Sequence, residues 1–64
     1  MKNKIKEMRK HSNTSQLALS KKVGVSRQTI NAIENDKYSP TLELAFALAK
    51  ELKTTVDELF EETE

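Results

Sequence analysis

Between residues 24 and 40 the chain reads GVSRQTINAIENDKYSP, and the fold turns on how that stretch must bend. Gly24 directly follows an apolar-periodic run, where a left-handed residue closes a helix, and glycine takes that conformation without a Cβ penalty. Val25 is then placed to fold back on Leu19, the hydrophobic contact that accompanies such endings. Ser26 supplies the side-chain oxygen of an N-cap, and RQTINAIEN follows it as a helix over 27–35 with Ile30 and Ile33 on its inward face. Only Gly24, Val25 and Ser26 separate this helix from the one before. The segment DKYSP is a loop. Pro40 pushes Ser39 to an extended conformation suited to a cap and is itself suited to a first helical position, which predicts a further helix over 40–52.

Working outward, Ile5 and Met8 lie three apart within a helical pattern over 4–12, and Asn13 is tolerant of the left-handed conformation that ends a helix. Ser15 caps a second helix over 16–23, with Leu19 and Val23 one turn apart. At the other end, Thr55-Val56-Asp57-Glu58 has capping-box spacing and opens a short helix through Phe60. No stretch has the alternation of a strand, and no internal repeat is visible. The expected class is all-α, with five short helices. A three-residue turn containing glycine joins the second and third, which is the spacing of a helix-turn-helix. The fourth helix has excess apolar surface. In LELAFALAKEL, Leu42 to Leu52, only Glu43, Lys50 and Glu51 are charged, so the helix wants a second neighbour besides its own core.

The chain has 64 residues, which predicts one domain over 1–64. A domain of this size buries only about 60% of its unfolded surface, so small scaffolds lean on disulfides, a metal or a partner. With no Cys and a single His, His11, the sequence offers neither disulfide nor metal site, and the partner remains. No cofactor or small-molecule ligand is implied. No nucleophile–base arrangement stands out, and little room exists for an enclosed pocket, which argues against an enzyme. The N-terminus lacks the apolar run of a signal peptide and no stretch is long enough for a membrane span, so a cytoplasmic protein is expected. Net charge is only +1, but its distribution is uneven. Residues 1–40 hold nine cations against three anions, while residues 41–64 hold two against seven. That asymmetry is a footprint for a polyanion at one end.

The third helix carries the functional signal. With Ile30 and Ile33 turned inward, its outward face near the N-terminus is Ser26, Arg27, Gln28, Thr29, Asn31 and Ala32. Arginine pairs with guanine, glutamine or asparagine with adenine, and threonine or alanine methyls meet the thymine methyl. Arg27 sits at the positive end of the helix dipole, an unfavourable placement that an external anion would offset. Gln16 opens the second helix near the same edge. With Ser26, Lys37 and Tyr38 it forms the candidate set for phosphate contacts. Tyr38 serves equally well as a lid on the core, and His11 reads as a surface residue.

Ser15-Gln16, Leu19, the run from Gly24 to Glu34, Tyr38-Ser39-Pro40 and Asp57-Glu58-Leu59-Phe60 resemble the Cro/repressor-type helix-turn-helix family, also called XRE-like or lambda-repressor-like, in its compact prokaryotic members. The likeness covers about residues 4–60. It implies a five-helix lambda-repressor-like bundle and operator binding, usually as a repressor. By matching position, Arg27, Gln28, Thr29 and Asn31 or Ala32 face bases, and Gln16, Lys37 and Tyr38 face phosphates. The resemblance also implies an Arg9–Glu34 salt bridge between the first and third helices. Thr14, Ser20, Asn13 and Asp36 depart from the family's usual residues, and Asp36 places an anion beside Lys37. The expected partners are a near-palindromic double-stranded DNA operator and a second copy of the chain, with Leu44, Leu59 and Phe60 as interface anchors. An antitoxin-like or other protein-interaction module on the same fold is the alternative.

Overall fold

In the computed structural model, which describes residues 2–61, the chain runs β1 (Lys2–Asn3), α1 (Ile5–His11), α2 (Gln16–Val23), α3 (Arg27–Glu34), α4 (Leu42–Glu51), α5 (Val56–Leu59) and β2 (Phe60–Glu61). Four of the helices start on a hydroxyl. Ser15, Ser26, Thr41 and Thr55 accept the main-chain N–H of Ala18, Thr29, Leu44 and Glu58, so each satisfies a donor that a helix start leaves unpaired. The fourth helix therefore begins two residues later than expected. Ser39 and Pro40 stay outside it, because Thr41 also has the extended backbone of a cap and its hydroxyl reaches the Leu44 N–H at 3.2 Å.

The first four helices also stop alike. After each, a residue with positive φ reverses the chain: Asn13 (56°), Gly24 (77°), Asp36 (59°) and Lys53 (58°). The next N–H reaches back to a carbonyl of the last turn, as in Thr14 to Arg9, Val25 to Ser20, Lys37 to Ala32 and Thr54 to Ala49, at 2.9–3.0 Å. Only one of the four positions is glycine. A Cβ added at Gly24 would meet nothing within 4 Å, so the requirement there is conformational and not steric.

Ile5, Leu19, Ile30, Ile33, Leu48 and Leu59 lie fully buried at the centre, drawn from all five helices. The two strands, unforeseen in the sequence, pair antiparallel with Lys2 opposite Glu61 and Asn3 opposite Phe60. Phe60 thus leaves α5 for β2, which corrects the expected helix end. At two residues each, these strands carry no alternation to read. Their register is fixed by the core on either side, and the Lys4 N–H extends the ladder to the Leu59 carbonyl at 2.8 Å.

The apolar excess of α4 is real, but other residues carry it. Leu44, Ala45, Leu48 and Ala49 form the inner stripe, whereas Leu42 and Phe46 are 68% and 59% exposed. Leu44 (9%), Leu59 (0%) and Phe60 (8%), expected as interface anchors, are core residues of the single chain, with their side chains packed mainly against its own helices.

Lys53 is exposed and holds a left-handed backbone that disfavours any residue with a Cβ. Lys53→Gly is expected to stabilise the domain by about 0.5–1 kcal/mol after the greater freedom of glycine in the unfolded chain is counted. Thermal unfolding should show Tm rising by a few degrees. No rise would mean that the turn costs the lysine nothing.

Candidate nucleic-acid interface

The turn Gly24-Val25-Ser26 sets α2 against α3, and a buried ion pair fixes the assembly from behind. Arg9 Nε donates to Glu34 Oε2 at 2.8 Å, and a second guanidinium nitrogen reaches Oε1 at 3.2 Å. The remaining terminal nitrogen donates to the Thr14 carbonyl at 3.0 Å, and Gln16 Nε2 donates to Glu34 Oε1 at 2.9 Å. The two charged side chains are 9% and 2% exposed. Their placement has a local logic. Glu34 ends α3, where the dipole disfavours an anion, and Arg9 lies in the last turn of α1, where it favours a cation. Among the described residues no buried side-chain polar atom lacks a partner, so the network is complete.

With Ile30 and Ile33 buried on one side, the opposite side of α3 carries Arg27, Gln28 and Asn31, all exposed, and Ala32, half-buried. These four of the expected base-reading residues therefore share one outward surface. Thr29 stands apart from them. It is half-buried, its hydroxyl lies 3.0 Å from that of Ser26, and it lines a cleft with Val25, Tyr38 and Leu44. Ser26 is exposed, with its hydroxyl engaged in the cap of α3. Asn35 extends the outward row, one helical turn beyond Asn31, and its amide donates to both the carbonyl and Oδ1 of Asn31 at 2.9 and 3.2 Å. Its spacing from Gln28 and Asn31 could have marked it in the sequence.

Gln16 is half-buried, and its hydrogen bond to Glu34 commits one of its two amide hydrogens to holding α2 on α3. Lys37 is exposed in the loop after α3. Tyr38 is 50% exposed and lines the same cleft as Thr29, so it combines a packed edge with an accessible one. His11 is exposed, as read. Among the described residues no cluster of His, Cys, Asp or Glu could hold a metal ion, and no helix is long and apolar enough to cross a membrane.

Comparison with known proteins agrees with this geometry. Residues 5–59 match the helix-turn-helix family. An uncharacterized HTH-type transcriptional regulator of Methanocaldococcus jannaschii is 52% identical over 60 residues, covering 94% of this chain and 91% of that protein. The uncharacterized HTH-type transcriptional regulator YgzD of Bacillus subtilis is 43% identical over 60 residues, with 94% and 91% covered. Among solved structures, the solution structure of the DNA-binding domain of the P22 C2 repressor superposes with a TM-score of 0.79 at 38% identity. That match covers 83% of this chain and 70% of the repressor domain.

Removing one member of a buried charged pair leaves the other desolvated and unpaired. Glu34→Ala is therefore expected to destabilise the domain by about 3–5 kcal/mol, well beyond the 0–1 kcal/mol typical of an exposed pair. Urea unfolding of the two single variants and the double variant with Arg9→Ala gives the coupling. A coupling near zero would reduce the pair to two independent charges.

Proposed function

The chain belongs to the helix-turn-helix family, and from that premise we propose that it binds double-stranded DNA sequence-specifically as a homodimeric transcriptional regulator, acting as a repressor in the cytoplasm. The observation that carries the reading is the outward surface of α3. Arg27, Gln28 and Asn31 stand exposed on a helix whose opposite side is fully buried, on a scaffold locked by Arg9 and Glu34. In this role α3 enters the major groove with its N-terminal residues against base edges. Arg27 offers a fork to guanine, Gln28 an amide to adenine, and Asn31 and Ala32 lie further along the groove. Thr29, turned toward the cleft, contributes its methyl edge at most. Lys37, Tyr38, Ser26 and the second amide hydrogen of Gln16 meet phosphates. Repression then needs only occupancy of the operator, which fits the likeness to a repressor's DNA-binding domain.

A second copy supplies the missing cover for α4. Leu42 and Phe46 lie one turn apart and stand out as exposed large apolar residues on a domain whose core is otherwise closed. A two-fold interface is self-complementary, and an apolar patch can meet itself where the nearby Asp57 and Glu61 cannot, so the acids stay at the rim. Two recognition helices about 34 Å apart would read half-sites roughly ten base pairs from centre to centre.

Selection of binding sites from random DNA is expected to return a near-palindrome of that spacing. On it, Arg27→Ala should cost about 1–3 kcal/mol and relax one base pair per half-site. Lys37→Ala should weaken all sequences alike and lower the log–log salt slope by about one unit per subunit. Equal loss on selected and random duplexes for Arg27→Ala would make that residue a phosphate clamp.

Because Phe46 is exposed in the single chain, Phe46→Glu should leave the helical content intact while abolishing the dimer. Sedimentation equilibrium would report the change in mass, and operator affinity should collapse with every α3 residue unchanged. A wild-type chain that stays monomeric at high micromolar concentration, or a single asymmetric half-site, would refute the dimer. It would leave α4 as a surface for a different protein.

A further inference from the structure

Asn3 lies in β1, outside the elements assigned to DNA, yet its side chain joins three parts of the fold. Its Nδ2 donates to the carbonyl oxygen of Ile33 at 2.8 Å and to Asp36 Oδ1 at 3.3 Å. Its Oδ1 accepts the main-chain N–H of Ile5 at 3.1 Å, giving α1 the side-chain cap that Lys4 does not provide. Its backbone is paired with Phe60, so the anchor of this tether is itself held against the core.

The acceptors stand at a sensitive place. Ile33 is in the last turn of α3, where carbonyls run out of intrahelical partners, and its oxygen also takes the N–H of Asp36 at 3.1 Å. Asp36 holds φ 59°, a left-handed conformation that aspartate tolerates better than most residues with a Cβ but still less freely than glycine. Lys37 follows at once, its N–H on the Ala32 carbonyl and its side chain exposed. The Asn3 amide therefore grips the left-handed residue beside Lys37 at two points, the Ile33 carbonyl to which the Asp36 N–H bonds and the Asp36 carboxylate. It also turns the Asp36 charge toward a donor, so that it competes less with phosphate for the Lys37 ammonium.

We propose that Asn3 is a positioning residue for the DNA-backbone clamp, holding Asp36 in its left-handed turn and so fixing the path of Lys37 and Tyr38 beside α3. The inference rests on Lys37 and Tyr38 meeting phosphate as proposed above. Arg27 and Gln28 open the other end of α3, roughly 9 Å along its axis from Ile33. The tether accordingly governs the clamp and leaves base reading alone.

Asn3→Asp separates the donor from the cap, because it keeps an oxygen for the Ile5 N–H and loses the amide hydrogens. Amide exchange in the free protein should quicken at Asp36 and Lys37, by about tenfold or more, with Ile5 and the Gln28–Ile30 stretch unchanged. Affinity for selected and random duplexes should fall by the same factor, about twofold to tenfold, the worth of one hydrogen bond. In a Lys37→Ala background that factor should vanish. If the new anion unfolds the chain, Asn3→Ala is read in the same way at Asp36 and Lys37. Unchanged exchange at those two positions overturns the tether. An additive loss in the Lys37→Ala background, or an altered base preference, overturns the clamp. A wild-type chain without duplex affinity removes the DNA reading itself and the clamp with it, whereas a binding wild type with a neutral Asn3→Asp removes only this inference.

Discussion

Taking a guanidinium and a carboxylate out of water together is favourable only when each finds its hydrogen bonds inside, and Arg9 and Glu34 meet that condition. The bonds of the pair reach several different segments. Nε and one terminal nitrogen of Arg9 tie α1 to the end of α3, the other terminal nitrogen holds the Thr14 carbonyl before α2, and Glu34 takes the amide of Gln16 at the start of α2. Three helices and a turn are thereby registered at one point. An apolar contact there would add cohesion without direction. Two forked groups fix angle as well as distance, which a presented α3 needs if its side chains are to meet base edges.

Around that point the domain is assembled from short pieces, none long enough to persist alone in water. Most carry their own punctuation: α2 to α5 open on a hydroxyl, and α1 to α4 stop on a left-handed residue. Where the stop is glycine, as at Gly24, the backbone takes the turn freely. Where it is asparagine, aspartate or lysine, the Cβ makes the same turn costlier, least so for the two short polar residues. At Asp36 the Asn3 amide adds a hold. The β1–β2 pair then closes the chain on itself, bringing the residues that precede α1 to the end of α5.

The boundaries of α2 and the start of α3 were legible in the sequence because their signals are local. A serine cap, a glycine stop and a three-residue interval leave few alternatives. The start of α4 was ambiguous, since Ser39 and Thr41 both suit a cap and only geometry chooses between them. The strands could not be read, for two paired residues have no period and depend on the rest of the fold to bring them together. The exposed face of α4 was legible in principle. Leu44, Ala45, Leu48 and Ala49 recur at helical spacing as one stripe, and Leu42 and Phe46 fall on another. Leu59 and Phe60 offered no such guide, because a four-residue helix has too few turns to show which side is inward. Of the candidate site, the outward set on α3 followed from subtracting Ile30 and Ile33. The inward turn of Thr29 did not, because hydroxyl pairing with Ser26 and the cleft beside Tyr38 lie outside any helical count. The Arg9–Glu34 pair came through resemblance, as nothing in a spacing of 25 residues announces it.

Folding also alters what the uneven charge means. The first forty residues are strongly basic, but β1 sets Lys2 opposite Glu61, Arg9 is committed to Glu34, and Lys22 lies 3.9 Å from Glu51. The last of these pairs is exposed and weak, yet all three place acidic residues among the cations. Eight cations of the first forty residues stay exposed, yet with a net charge of only +1 the chain as a whole exerts little long-range pull on a polyanion. Non-specific affinity comes almost wholly from cation–phosphate contacts, which tell no sequence from another. In the proposed role, discrimination must come from base contacts, and one subunit offers only a handful of them. Doubling that handful through a two-fold dimer raises affinity without adding general attraction to DNA, since each half-site is bound at the effective concentration set by the other. In the proposed role the exposed Leu42 and Phe46 serve that end, since pairing through α4 would multiply base contacts without adding sequence-blind attraction to phosphate.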